Sequence, residues 1–184
     1  MHDIPISIND ENITRVSQTK FLGVIIQSNL KWNSHISSVS NKISKTIGVI
    51  NKAKYNLATS HLKMLYQSLI EPYLNYCCIV WASPIKNTTL DILFKLQKRV
   101  VRIICFTQYR AHTKPLFQKL AFLSIYDLCL TQVLTHVFKS INYLLPKHIT
   151  NYFTRTSDIH SYNTRKHNHD LFIQNAQKNC RINS

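Results

Sequence analysis

The chain has 184 residues, of which 45% are hydrophobic and two are glycine, and its 23 Lys and Arg outnumber eight Asp and Glu for a net charge of +15. That length bounds it to one domain of moderate size with room for a small appendage, and the hydrophobic share excludes full disorder. Two glycines, against a typical usage of about 7%, exclude a glycine-rich phosphate cradle and argue for helices joined by short polar loops rather than for sheets built on tight turns.

Residues 4–26 read as β. Ile4, Ile6 and Ile8 alternate with Pro5 and Ser7, which is the period of a strand. Asn9 to Asn12 follow as a turn, and Ile13 to Val16 as a returning strand. Lys20 to Ile26, rich in β-branched residues, reads as one buried strand. From residue 31 the period changes. Ile36, Val39, Ile43, Ile47, Ile50 and Leu57 form one helical face, with Ser34 as its cap and Lys42, Lys45 and Lys52 on the far side. A second helix begins at Thr59-Ser60 and runs through Leu62, Leu65, Tyr66, Leu69 and Ile70. Pro72 should kink or split it, the pattern resumes through Tyr73, Tyr76, Cys77, Val80 and Trp81, and Pro84 ends it.

A third helix, capped by Thr88 or Thr89, gathers Leu90, Leu93, Leu96, Val100, Ile103 and Ile104 on one face and Lys95, Lys98, Arg99 and Arg102 on the other. A short helical segment spans Pro115 to Leu120, and another runs from about Ser124 to Tyr143. After Pro146 the chain becomes polar, and residues 151–184 read as a loosely ordered tail. The expected division is therefore 1–30 β, 31–150 helical and 151–184 tail.

The charge is concentrated. Residues 31–110 carry a net +10, and no Asp or Glu lies between positions 92 and 126. Solvated helix faces ordinarily mix signs, so the two basic faces point to a polyanionic partner. Nucleic acid is the commonest such partner, each cation displacing a counterion from a phosphate, and the alternatives are an acidic membrane surface or simple compositional bias. The competing reading is a solvated face, and for Trp32, Tyr55, Tyr66 and Trp81 it is a core anchor rather than a base-stacking platform. The cysteines are Cys77, Cys78, Cys105, Cys129 and Cys180. They are odd in number and contain no C-x-x-C, so neither a disulfide framework nor a zinc ribbon is indicated. They imply a reducing compartment, cytoplasm or nucleus. The N-terminal residues lack a signal-peptide pattern, and no apolar run is long enough to span a bilayer.

Polymerases hold two Mg²⁺ ions on closely placed carboxylates. Here the only adjacent acidic pair, Asp10-Glu11, falls in an expected turn, so no catalytic or metal site is assigned and no cofactor is expected. His167 and His169 read as a solvated pair, Cys105 near His112 as a buried thiol, and His35 and His61 as exposed residues at helix starts.

Lys20-Phe21-Leu22-Gly23-Val24-Ile25-Ile26 followed by Leu30-Lys31-Trp32-Asn33-Ser34-His35-Ile36 resembles the end of the palm and start of the thumb in jockey-like, LINE-type non-LTR retrotransposon reverse transcriptases. Leu65 to Cys77, Val80-Trp81, Leu93 to Arg102 and Tyr162-Asn163-Thr164-Arg165 are similar in order and spacing, so the resemblance covers roughly residues 4–170. It implies a mainly α, basic, thumb-like helical bundle with a small N-terminal β-hairpin or three-stranded remnant. It places Lys20, Phe21, Leu22 and Gly23 near the growing primer end. The family's catalytic Asp-Asp lies upstream of the matched region, so its RNA-directed DNA polymerase activity maps to no residue here, and Mg²⁺ would belong to a complete polymerase. The implied partners are RNA, DNA or their hybrid, gripped through Lys42, Lys45, Lys52, Lys95, Lys98, Arg99 and Arg102, and a palm and fingers portion of such an enzyme. Gln27 stands where the family usually has Asp. The rival expectation is a partner-dependent or self-associating fragment of a decayed mobile element, with Phe21, Val24 and Ile25 exposed.

Overall fold

The computed structural model describes residues 6–8, 11–82, 88–153, 156, 159 and 171. Its architecture is the mainly α one expected, with a small antiparallel β part at the N-terminal end. The expectations for Ile4, Pro84, the caps at Thr88 and Thr89, Tyr162 to Arg165, His167, His169, Cys180 and most of the tail lie outside the described residues or side chains. The chain divides into two compact units at residues 132 and 133.

In the first unit, β1 (Ile6–Ile8) pairs antiparallel with β2 (Glu11–Ile13), and β3 (Gln18–Phe21) with β4 (Val24–Gln27), as two separate hairpins. Two expectations are corrected here. The returning strand starts at Glu11 rather than Ile13, with Ile8 opposite Glu11. Lys20 to Ile26 is not one strand: Leu22 and Gly23 both hold positive φ, 45° and 84°, and turn the chain back so that Phe21 faces Val24. Left-handed geometry at both central residues is that of the tight hairpin turn whose twist matches its strands. One of the chain's two glycines is thus spent at a site that needs it. Of the residues expected to be exposed, Phe21 is exposed, Ile25 is half-buried and Val24 is buried.

Helix α1 (Asn33–Ala53) buries His35, Ile36, Val39, Ile43, Ile47 and Ile50. Its first turn is tied to β4 by two side chains. The amide oxygen of Gln27 accepts from the Ser34 N–H at 3.1 Å, and His35 Nδ1 accepts from the Ile25 N–H at 3.3 Å. The acceptor at this helix start is therefore Gln27, not the Ser34 hydroxyl, because the incoming strand brings the amide to the unpaired N–H groups. The helix ends at Ala53, and Leu57, expected on its apolar face, lies beyond it and is exposed.

Helix α2 (Thr59–Leu69) buries Leu62 and Tyr66. The break that follows precedes Pro72 rather than falling on it. Pro72 sits in the first turn of α3 (Glu71–Asn75), where a missing N–H costs nothing. Cys77, at φ 50°, then separates α3 from α4 (Cys78–Trp81). Trp81 is buried, donates from Nε1 to the Tyr76 carbonyl at 2.9 Å and meets the His35 ring edge-on at 5.2 Å. The Tyr76 hydroxyl donates to the Leu22 carbonyl at 2.5 Å, anchoring the hairpin tip.

Helix α5 (Thr88–Ile104) packs mainly on α1 and also contacts α2 and α6 (Lys114–Leu120). Leu90, Leu93, Val100 and Ile104 are buried as expected, and Leu96 and Ile103 pack against the core half-buried. The buried face also contains Val101 and, among the apolar residues, Gln97. Gln97 Nε2 donates to Tyr66 Oη at 2.7 Å and to the Leu123 carbonyl at 2.8 Å, and its Oε1 accepts from the Ile125 N–H at 3.0 Å. Tyr66 in turn stacks on Phe122 at 4.1 Å. Burial, above all, pushes the Tyr66 phenol up to about 12, so it stays protonated within this network. Helix α7 (Ile125–Ile141) crosses the division between units, and α8 (Lys147–Thr150) follows in the second unit.

Three helices end in the same way. After α5, Phe106 N–H bonds to Ile103 O and Thr107 N–H to Arg102 O; after α6, Ala121 to Gln118 and Phe122 to Phe117; after α7, Tyr143 to Ser140 and Leu144 to Lys139. This is the Schellman pattern, whose left-handed residue is usually glycine. Here Phe106, Ala121 and Tyr143 take it, at φ between 54° and 55°. A side chain in that region costs roughly 1–2 kcal/mol, and glycine's greater freedom when unfolded returns part of the gain. Ala121→Gly is therefore expected to stabilise the protein by about 0.5–1 kcal/mol, seen as a higher urea midpoint. A lower midpoint would show that Ala121 is not confined to this geometry.

Candidate nucleic-acid interface

The C-terminal ends of α1 and α5 and the loop after α5 enclose a cleft of about 450 Å³ lined by Asn51, Lys54, Tyr55, Arg99, Arg102, Ile103, Phe106, Thr107 and Tyr109. Three of these residues are cations and none is a carboxylate. The geometry follows from the helix ends. Phe106 reverses the chain, and the loop then runs back along α5. Arg102 Nε donates to the Ala111 carbonyl at 2.9 Å, and its guanidinium lies 5.9 Å from the Tyr109 ring. Across the cleft, Lys54 Nζ stands 5.1 Å from the Tyr55 ring. The negative ends of the two helix dipoles favour Lys54 and Arg102 but do not account for Arg99, which sits farther back along α5. Arg99 has no hydrogen-bond or ion-pair partner among the described residues.

The seven cations singled out in the sequence do not form one surface. Arg99 and Arg102 enter the cleft. Lys98 turns onto the Phe94 ring, its Nζ 4.1 Å from the centroid, and lines a separate cavity of about 680 Å³ with Phe94, Phe117, Phe122 and Lys114. Lys42 reaches over Tyr73, 5.3 Å from the ring, and joins Leu22, Gly23, Tyr73 and Tyr76 in a groove of about 330 Å³. Lys45, Lys52 and Lys95 are exposed and line none of these three hollows. Lys20, Phe21, Leu22 and Gly23 are all exposed around the β3–β4 turn.

Lys54, Thr107 and Tyr109 belong to the cleft and escaped the sequence reading, whereas Tyr55, also in the cleft, is weighed there as a core anchor against a base-stacking platform. Tyr55, expected to anchor the core, is instead 77% exposed, as it follows the last turn of α1, and Tyr109 is 80% exposed. Of the other aromatics considered, Tyr66 and Trp81 are buried and Trp32 is half-buried. The signal that would have found the cleft is the Lys54-Tyr55 and Tyr109-Arg110 pairing of cation and ring just past two helix ends.

His35 is also corrected. Expected in solvent, it is 4% exposed, because the ring is enclosed by β4 and Trp81 and accepts a backbone hydrogen bond. Burial first, and Lys42 second, hold its pKa below the ordinary 6.5. Of the cysteines, Cys78 and Cys129 are buried, whereas Cys77 and Cys105 are half-buried. Burial pushes the Cys105 thiol up, against a smaller opposite effect of Lys119. Among the described residues, no three His, Cys, Asp or Glu side chains gather as metal donors, and no single helix is long and apolar enough to cross a membrane. No protein-family model, curated protein or solved structure matches this chain.

Proposed function

We propose that this chain is a thumb-type, non-catalytic part of a non-LTR retrotransposon reverse transcriptase, and that it grips template–primer nucleic acid through phosphate contacts. The observation that carries the binding reading is the cleft in which Lys54, Arg99 and Arg102 converge with no carboxylate among the lining residues. Like charges brought together repel, and a polyanion offsets that cost. The resemblance of Lys20 to Ile36 and Leu93 to Arg102 supports template–primer as the nucleic acid and a palm and fingers portion as the catalytic partner. The exposed Lys45, Lys52 and Lys95 extend the positive field beyond the cleft, where they steer and position without reading sequence.

The test is binding of the purified chain to a labelled RNA–DNA hybrid across a salt series. Wild type is expected to lose affinity steeply as salt rises. A variant with Lys95, Lys98, Arg99 and Arg102 changed to Glu should lose most of that affinity, with a log–log salt slope shallower by about three or four. Because Arg102 also ties down the Ala111 loop, a second variant changes only Lys95 and Arg99 and should give about half the effect. Wild-type binding no better than that of the charge-swapped chain would refute the proposal.

One set of exposures favours a second reading, a partner-dependent or self-associating fragment. Phe21 is 63% and Leu22 73% exposed at the hairpin tip, beside the groove that holds Tyr73 and Tyr76. Sedimentation over a range of concentrations separates the two, since a monomer at all concentrations would count against self-association.

A further inference from the structure

Resting on the nucleic-acid reading, we infer that the cleft between the ends of α1 and α5 receives unpaired nucleotides, whose bases stack on Tyr55 and Tyr109 while Arg99 and Arg102 meet their phosphates. A basic groove alone would serve a duplex equally well, because it meets only backbone. The two tyrosines make the difference. Each is a large ring left in water, 77% exposed at Tyr55 and 80% at Tyr109, where an aromatic side chain ordinarily gains by burial. Each ring has a cation beside it, Lys54 at 5.1 Å and Arg102 at 5.9 Å, and such a contact restrains the ring. At those exposures most of each residue is open to solvent. A base laid there would complete a sandwich of cation, ring and base.

Bases within a duplex are stacked on one another and offer no face to a side chain, whereas unpaired bases do, regardless of sequence. The cations are placed to match. Arg102 is held by the bond from Nε to the Ala111 carbonyl, and its terminal amino groups have no other partner among the described residues. Arg99 lines the same cleft, with no hydrogen-bond or ion-pair partner among the described residues. The volume of about 450 Å³ falls within the roughly 300–1,000 Å³ of small-ligand sites. The occupant is thus an overhang or single-stranded stretch adjoining the duplex that the wider basic surface holds.

The experiment compares the full chain with Tyr55→Ala, Tyr109→Ala, Tyr55→Phe and Tyr109→Phe on a labelled single strand and on a blunt duplex of the same sequence. Each Ala variant is expected to bind the single strand about tenfold more weakly and to lose far less of its affinity for the duplex. Each Phe variant should bind both as wild type does, since a phenyl ring stacks equally well. Quenching of 2-aminopurine in the single strand should be lost with the Ala variants and kept with the Phe variants. Ala variants that bind the single strand as tightly as wild type, or lose single strand and duplex alike, would overturn the inference while Arg99-dependent binding kept the broader proposal standing. Wild type that binds neither nucleic acid would overturn both.

Discussion

Replacing Gln97 by leucine is expected to lower the stability of the fold by about 3 kcal/mol, measured as a lower urea midpoint at unchanged slope. Leucine suits a buried helix position and matches its neighbours Leu93, Val100 and Val101, so a reading based on hydropathy alone would expect a gain. The hydrogen bonds reverse that sign. Gln97 is fully buried and satisfies three groups from other elements: the Tyr66 hydroxyl of α2, the Leu123 carbonyl and the first N–H of α7 at Ile125. Each buried group left without a partner costs roughly 1–3 kcal/mol. The added apolar contact of leucine recovers only part of this. Tyr66→Phe, which removes one partner and leaves the amide its other bonds, should cost about 1 kcal/mol. If Q97L were as stable as wild type, the amide would not be the tie between α2, α5 and α7.

Trp81→Ala should cost about 4 kcal/mol and change how stability depends on pH. The indole is 3% exposed, so its removal leaves a large cavity and frees the Tyr76 carbonyl from its donor. It also uncovers His35, whose ring centroid lies 5.2 Å from that of the indole. In the intact fold the pKa of His35 lies below 6.5, whereas in the unfolded chain it takes a proton near that value. As pH falls through 6.5 the unfolded state therefore binds more protons than the folded one, so stability declines on acidification and is fully present above 6.5. Without Trp81 the imidazole is solvated and can charge in place, and this part of the decline should vanish. Urea titrations at neutral and mildly acidic pH, on wild type and W81A, check both effects. An equal loss on acidification in the two proteins would rule out His35 as its source.

The helical faces were legible where apolar spacing alone decides burial. Ile36, Val39, Ile43, Ile47 and Ile50 all meet the core, because their spacing leaves no other face to bury. Gln97 was not legible, since a glutamine among charged neighbours reads as surface until the carbonyl and N–H it must satisfy are known to face it. His35 was misread for a related reason: its burial is imposed by Trp81 and Ile25, one of them 46 residues away, and no local pattern encodes that. Lys20 to Ile26 reads as one strand because β-branched composition marks extended backbone without marking direction, and a single Gly23 after Leu22 is a weak reversal signal. In the cleft, α5 announced Arg99 and Arg102 through its periodicity. Tyr55 and Tyr109 lie past helix ends, where periodicity stops carrying information.

The three left-handed helix ends at Phe106, Ala121 and Tyr143 mean that these helices are stopped by what surrounds them rather than by the residue at which they stop. Phenylalanine, alanine and tyrosine carry no instruction to terminate, and alanine is the best of helix formers. A peptide spanning residues 88–110, cut free of α1 and of the Ala111 carbonyl that holds Arg102, has no reason to halt at Ile104. The boundaries of these helices are then properties of the assembled fold. Conditions that loosen the packing while sparing the backbone should let the helices lengthen into the loops, taking the cleft apart by extension before any of them melts.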